Sequence, residues 1–341
     1  MSAVRASLLI PTHDHASTLP LTVASVLRQS VADLEVLLIG DGVSDELRTV
    51  IEGLVDSDPR VRFLDFPKGP HHGEIYRHEA VLTARSDAIF YLCDDDLLLP
   101  DHVSDLLACL AQANFVQSRN GFITTAGEMG LYPTDLGDPA CVAWHLGTPR
   151  RNMTSITGTA HSREFYLRLD RPWETTPPGE WPDHFQWKKF FRHPDFRGAT
   201  SARMTALQLP TSQEGRDSWT PQQRYDELAA WAALVSRPDA QAQIDALVDA
   251  ATQRALATAI RTVSTLQEEA LALQEETREL QANALTLQGD LDDLRDERDE
   301  LRIRLKNRNR RLARVRAEVA ALRSSRSWRV TAPLRKLRRR R

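Results

Sequence analysis

No stretch of this sequence approaches the roughly 20 consecutive apolar residues that a helix needs to cross a bilayer, so a helical membrane-spanning protein is not expected. The amino-terminal MSAVRASLLIPTHDH is a poor secretory leader, because its apolar run is short and stops at Pro11. Cysteine is scarce. Cys93, Cys109 and Cys141 form neither a paired framework nor a metal-ligand spacing, which fits a reducing compartment. These absences together predict a cytoplasmic location, extending at most to the inner face of the membrane. Aromatics and prolines become rare after about residue 240, where Ala, Leu, Gln, Glu and Arg take over. Such a shift marks a change of architecture.

Charge is unevenly spread. The net charge is −3, yet residues 323–341 hold nine Lys or Arg and no acid, leaving −12 on the rest. A basic end on an acidic body suits an anionic surface. A disordered, solubilising end is the alternative.

The first hundred residues alternate short apolar runs with amphipathic ones. Strands are predicted at Ser7–Ile10, Leu34–Ile39, Val61–Phe66 and Ala88–Cys93. Helices are predicted at Ser17–Ser30, with Ser17 or Thr18 as N-cap and Pro20 in the first turn, at Ser44–Val55 and at Gly73–Arg85. Continuous apolar strands alternating with helices predict an α/β, mostly parallel sheet covered on both faces. Ligands of such sheets bind outside the carboxyl ends of the strands. Three of those ends are polar: Pro11-Thr12-His13-Asp14, Gly40-Asp41-Gly42 and Asp94-Asp95-Asp96. Further on, short helices are predicted at Asp183–His193 and Pro221–Ser236.

Asp94-Asp95-Asp96 is the sharpest local feature. Three adjacent carboxylates repel one another, at a cost to stability unless a cation offsets the charge. Hard oxygen ligands favour Mg²⁺ or Mn²⁺, and a metal there could grip a nucleoside diphosphate as it leaves. A solvated helix start, where the dipole favours Asp, is the plainer reading. Asp41 is either a turn residue of an Asp-Gly pair or an acceptor for a nucleotide base.

Taken together, SLLIPTHDHASTL, EVLLIGDGVSD and AIFYLCDDDLLLPDHV resemble the family 2 glycosyltransferases of the GT-A (Rossmann-like) fold, over roughly residues 5–215. The resemblance implies inverting transfer from a nucleotide-sugar donor, usually with a divalent metal. It implies that Pro11, Thr12, His13 and Asp14 line the nucleotide pocket and that Asp41 accepts from the base. Asp94 would approach the ribose or the metal, Asp95 would ligate the metal, and Asp96 is the alternative ligand. Arg77 matches an arginine often found near the donor. Three positions depart from the family pattern. Gly40 stands where a second acid is usual, Cys93 where an Asp-x-Asp motif would begin, and His78 where Asn usually follows the arginine. The family's catalytic base is an acid beyond the metal motif, and GEWPDHFQWKKFF offers Glu180 and Asp183. Asp183 is favoured because it could also cap the helix that follows, a role that needs no chemistry. As base it would take the acceptor hydroxyl's proton in a transition state of oxocarbenium character.

Cell-surface polysaccharide or glycolipid synthesis, on a glycan or lipid-linked glycan acceptor, follows from family habit. A sugar-phosphate nucleotidyltransferase would show a Gly- and Arg-rich loop after the first strand, which PTHDHAST lacks. A non-catalytic scaffold with a degenerate domain is the other rival. His161 reads as a structural histidine. Trp173, Trp181 and Trp187 could stack on sugars, with core packing expected for at least two.

From Val263 a seven-residue repeat sets in. Leu266, Leu273, Leu280, Leu287, Leu294 and Leu301 occupy one position, with Val263, Ala270, Leu291, Leu305, Leu312 and Val319 among their companions. This pattern predicts a coiled coil and a homo-oligomer, weakened by Arg298 and Arg308 at core positions. Sixty such residues would reach on the order of 90 Å. The expected organisation is a GT-A domain over 1–215, a helical neck over 216–260, a coiled coil over 261–322 and a basic tail over 323–341. The tail mixes Trp328 and leucines with arginines, as membrane-surface segments do. No recognition module for nucleic acid accompanies it.

Overall fold

A computed structural model describes residues 3–210 and 215–330. The chain divides into two units, Met1–Ala257 and Thr258–Arg341. In chain order the elements are β1 (Ala6–Thr12), α1 (Leu19–Leu27), β2 (Leu34–Asp41), α2 (Asp45–Ser57), β3 (Val61–Phe66), α3 (Glu74–Thr83), β4 (Ala88–Tyr91), β5 (Leu97–Leu98), α4 (His102–Leu110), β6 (Phe115–Gln117), β7 (Gly121–Ile123) and β8 (Met129–Leu131). They continue with α5 (Pro139–Leu146), β9 (Thr159–Ser162), α6 (Arg163–Tyr166), α7 (Pro182–Phe191), β10 (Gly198–Thr200), β11 (Ala206–Leu207), α8 (Pro221–Val235), α9 (Ala240–Ser324) and α10 (Arg326–Val330).

In the first unit a seven-stranded sheet has the order β10-β6-β9-β4-β1-β2-β3. Its neighbours are parallel, except that β9 runs antiparallel to both β4 and β6. This is the expected mostly parallel α/β sheet. The chain steps outward from β1 through β2 to β3 and then returns to β4 on the other side of β1. The order therefore reverses between β1 and β4, the place where ligands of such sheets bind.

Alternation along the strands explains the two layers. Leu8, Ile10, Val36, Leu38 and Phe90 face a core shared with α1, α2 and α4. Leu9, Leu37, Ile39, Ile89 and Tyr91 face the opposite core, with α3, α6 and α7. Successive side chains point to opposite faces, so strands covered on both sides need apolar residues at nearly every position. A third core is built differently. Leu97 and Leu99, beside the β5–β11 ribbon, pack with Leu207, Leu209, Leu228, Ala232, Val235, Ile244 and Val248. Residues 221–251, expected to be a neck, thus cover the segment that directly follows the aspartate trio.

In the second unit the heptad side chains lie on the α9 surface, from 41% exposed at Val319 to 67% at Leu287. Among the described residues no helix is long and apolar enough to cross a membrane. Residues 331–341 of the basic tail lie outside the described residues.

Candidate active site

The backbone that follows β4 is held by a buried polar stripe on and beside α1. Thr18, Thr22, Ser25 and Gln29 recur at helical spacing, all under 7% exposed. Thr18 and Thr22 donate to the carbonyls of Asp94 (3.2 Å) and Asp96 (2.9 Å). Ser25 accepts from the Leu98 amide, while Gln29 donates to the Leu99 carbonyl and accepts from the Val103 amide. Irregular backbone next to a core must find partners, and these side chains supply them. Thr18 is the N-cap residue of α1 by position, but its hydroxyl makes no capping bond.

The three aspartates are all at least 93% buried, and they divide the work. Asp96 accepts from the Leu209 amide (2.8 Å) with Oδ1 and from the Thr157 hydroxyl with Oδ2. The same Thr157 hydroxyl accepts from the Cys93 amide (3.0 Å). Burial, and next the charge of Asp95, push the Asp96 carboxyl up to about 8. Asp96 is therefore a structural pin, with both oxygens already engaged.

Asp94 and Asp95 face the β1 loop instead. Asp94 Oδ1 lies 2.8 Å from His15 Nδ1, and Asp95 Oδ2 lies 3.8 Å from it. Burial alone would lower the His15 pKa. The hydrogen bond to Asp94 and the charges of Asp94, Asp95 and Asp14 outweigh it and raise the pKa to about 9. Potential ligand atoms of His15, Asp94 and Asp95 all lie within 4.8 Å of one another. Two carboxylates and an imidazole fit a divalent cation such as Mn²⁺. Cys93, Asp95 and Asp96 form a second such group. A thiol suits hard cations poorly and Asp96 is committed elsewhere, so the first set fits better. Arg216, in a 3-10 turn after Gly215, donates through Nη1 to Asp95 Oδ2 at 2.5 Å. From α8, Arg224 Nη1 comes within 3.5 Å of His15 Nε2.

At the end of β2, each oxygen of Asp41 accepts one bond from within the protein. Its oxygens accept from Lys68 Nζ and the Gly69 amide, both at 2.6 Å. Gly73 caps α3 at φ +60°, and a Cβ there would lie 2.5 Å from Asp41 Cγ. Gly40 leaves no room for the family's usual acid, since a Cβ would meet the Phe63 ring at 2.8 Å. His13 Nδ1 lies 2.7 Å from the Asp41 carbonyl, which ties the first two loops together. Pro11 is half-buried, Thr12 is buried, and Asp14 is exposed at the rim. Arg77 is buried beneath them, its guanidinium 5.1 Å from the Trp173 ring centre. One turn earlier Glu74 is fully buried, and neither carboxylate oxygen has a hydrogen-bond partner among the described residues.

Asp183 sits in the first turn of α7, whose N-cap is Trp181, so Asp183 is not the cap expected of it. Its Oδ2 accepts from Asn152 Nδ2 at 3.1 Å. Burial raises its pKa, against the lowering effect of the His184 amide, Asn152 and the Arg77 charge. Glu180 is instead paired with Lys188 at 2.9 Å. Trp173 and Trp187 are core residues. Trp181 is half-buried, with Arg150 stacked 3.9 Å from its ring centre. His161 is a satisfied core histidine, bonded to the Tyr91 hydroxyl (2.9 Å) and the Ser162 carbonyl (3.0 Å).

The loop after β1 meets the aspartate trio through His15 and Thr18, and His13 ties that loop to Asp41. Sequence reasoning missed His15, Glu74, Thr157, Arg216 and Arg224. Only the α1 stripe left a readable trace, as small polar residues at helical spacing inside an otherwise apolar helix.

A mostly parallel sheet whose order reverses at β1, with buried carboxylates and an imidazole at that point, defines an α/β domain of the GT-A class. Residues 7–156, a little under half of the chain, match the model of Glycosyl transferase family 2, which supports a glycosyltransferase domain of that family in this segment. It is 37% identical over 170 residues to a chondroitin synthase of Pasteurella multocida (strain Pm70). It is equally similar, over the same length, to a hyaluronan synthase of Pasteurella multocida. Each match covers 50% of this chain and 16% of the synthase, so the chain spans about a sixth of those relatives. A solved structure of S. aureus TarS 1–349 aligns over 66% of this chain and 69% of that one, with a TM-score of 0.47 and 11% identity.

Proposed function

We propose that this chain transfers a sugar, with inversion, from a nucleoside-diphosphate sugar to an acceptor hydroxyl in polysaccharide or glycolipid synthesis. The observation that carries the reading is the convergence of Asp94, Asp95 and His15 at the reversal point of the sheet. Similarity to two glycan synthases supports the same chemistry.

In this reading Pro11, Thr12, His13, Asp14, Asp41 and Arg77 form the nucleotide side. Asp94 and Asp95, with His15, hold the cation, and Asp96 keeps their loop in place. An imidazole in the set favours Mn²⁺ over Mg²⁺. A bound divalent ion supplies charge stabilisation for the departing diphosphate. Asp183 accepts the proton of the attacking hydroxyl, with Asn152 fixing the carboxylate's orientation. Its raised pKa brings it closer to the range in which a base is effective at neutral pH.

The 261–322 segment pairs with a second copy of the chain through its exposed leucine stripe, and the tail over 323–341 rests on an anionic membrane on the cytoplasmic side. The functional division is a catalytic domain over 1–215, a neck over 216–260, a coiled coil over 261–322 and the tail. Asp183→Asn tests the chemistry. Turnover, measured as release of nucleoside diphosphate from a panel of nucleotide sugars with Mn²⁺, should fall about 10²- to 10⁴-fold. Donor affinity should persist. Full turnover in this variant rules out Asp183 as the base.

A further inference from the structure

Arg216 is more than nine-tenths buried, yet only one of its three nitrogens is used. Nη1 is bonded to Asp95, while Nε and Nη2 find no hydrogen-bond partner among the described residues. Nε and Nη2 lie along one edge of the planar guanidinium and direct two nearly parallel N–H groups within that plane. That edge matches two oxygens of a phosphate or carboxylate. A buried N–H donor without an acceptor is costly, the more so on a charged group, so such an edge calls for an acceptor. Of the carboxylates described beside it, Asp95 is engaged by Arg216 Nη1, and Asp96 by Leu209 and Thr157.

We propose that Arg216 binds the diphosphate of the donor through this free edge, and that its Nη1 occupies Asp95 only until a divalent cation takes its place. One guanidinium would then have two partners in succession: the carboxylate in the empty site and the anion in the loaded one. The proposal rests on the reading of Asp94, Asp95 and His15 as the cation site. It goes beyond that reading by making a residue outside the matched segment 7–156 both a competitor of the cation and a ligand of the anion. Loss of Arg216 must then have opposite effects on the two ligands. Removing the competitor tightens cation binding, and removing the paired donors weakens anion binding.

The experiment uses the full chain and two titrations. The first follows Mn²⁺ alone by the electron paramagnetic resonance of the free ion. The second follows UDP, GDP, CDP and ADP by calorimetry in excess Mn²⁺, continuing with whichever binds the wild type most tightly. For Arg216→Gln, Mn²⁺ should bind several-fold tighter, and the nucleoside diphosphate about tenfold more weakly or worse. Arg216→Lys keeps the charge opposite Asp95 but lacks the paired edge. It should leave Mn²⁺ affinity within about twofold of wild type while still weakening the nucleotide about tenfold. If Arg216→Gln does not fold, as judged by its melting curve, Arg216→Lys decides alone. Unchanged Mn²⁺ affinity in Arg216→Gln, or unchanged nucleotide affinity in either variant, overturns the proposal. Failure of the underlying reading looks different. The wild type would then bind no nucleoside diphosphate, and Asp95→Asn would leave its Mn²⁺ affinity unaltered.

Discussion

Replacing Thr157 with Val should destabilise the first unit out of proportion to the size of the change. Valine has nearly the same shape, so no cavity opens and the whole effect comes from hydrogen bonding. Thr157 is 4% exposed, donates to Asp96 Oδ2 and accepts from the Cys93 amide. Asp96 is buried and Cys93 is half-buried. The Asp96 carboxyl, pushed up to about 8, is largely protonated at neutral pH, so its bond counts as a neutral one of about 0.5–1.5 kcal/mol, and an amide left without a partner costs about 1–3 kcal/mol. The sum, about 1.5–4.5 kcal/mol, is a large part of the roughly 5–15 kcal/mol that keeps a domain folded. Urea unfolding followed by the fluorescence of the buried Trp173 and Trp187 measures it. Thr157→Ser retains the hydroxyl and should recover most of the loss. If Thr157→Val lowers stability by less than about 1 kcal/mol, the pinning role assigned to Thr157 and Asp96 is wrong.

Acid should weaken the fold through His102 and His161, which are fully buried and whose pKa values burial lowers to about 3 and about 4. The unfolded chain takes up these protons near pH 6.5, before the folded one does. Stability is therefore complete above that pH and falls as the pH drops towards 4, by about 1.4 kcal/mol per pH unit for each group. His145, lowered to about 4, adds to this slope and Asp96, raised to about 8, opposes it, so the measurement is a difference: between pH 6 and 4.5 the stability gap between His161→Gln and wild type should change by about 1.4 kcal/mol per pH unit. In the second unit, Leu280→Asp with Leu287→Asp should convert the oligomer to a 38.5 kDa monomer in sedimentation analysis. A wild-type chain that is already monomeric at micromolar concentration contradicts the pairing of the leucine stripe.

The parallel sheet was legible because its signal is repetitive. Apolar strands such as LEVLLIGD and helices such as DELRTVIEGLVDS carry their period in every residue. The aspartate trio was legible because three like charges beside an apolar strand are hard to explain otherwise. What the trio does was not. Asp96 became a pin because Thr157 and Leu209, 61 and 113 residues further on, supply its donors. Asp41 kept its place at the strand end, yet its oxygens went to Lys68 and Gly69, which no local pattern announces. The α7 helix starts before Asp183, since Pro182 already takes its first position and leaves Asp183 inside the first turn. Arg216 reaches Asp95 across 121 residues from a segment with no periodic signal. Partners of this kind are set by tertiary contact, and a single sequence records only one side of each pair.

The β5–β11 ribbon has a practical consequence. Leu97 and Leu99 are covered by Leu228, Val235, Ile244 and Val248, and they follow the aspartates with no intervening residue to absorb a disturbance. A chain shortened to the span that matches the family would strip this lid of apolar side chains from the loop that holds the acids. The smallest piece worth crystallising or grafting onto another protein therefore runs to about residue 257.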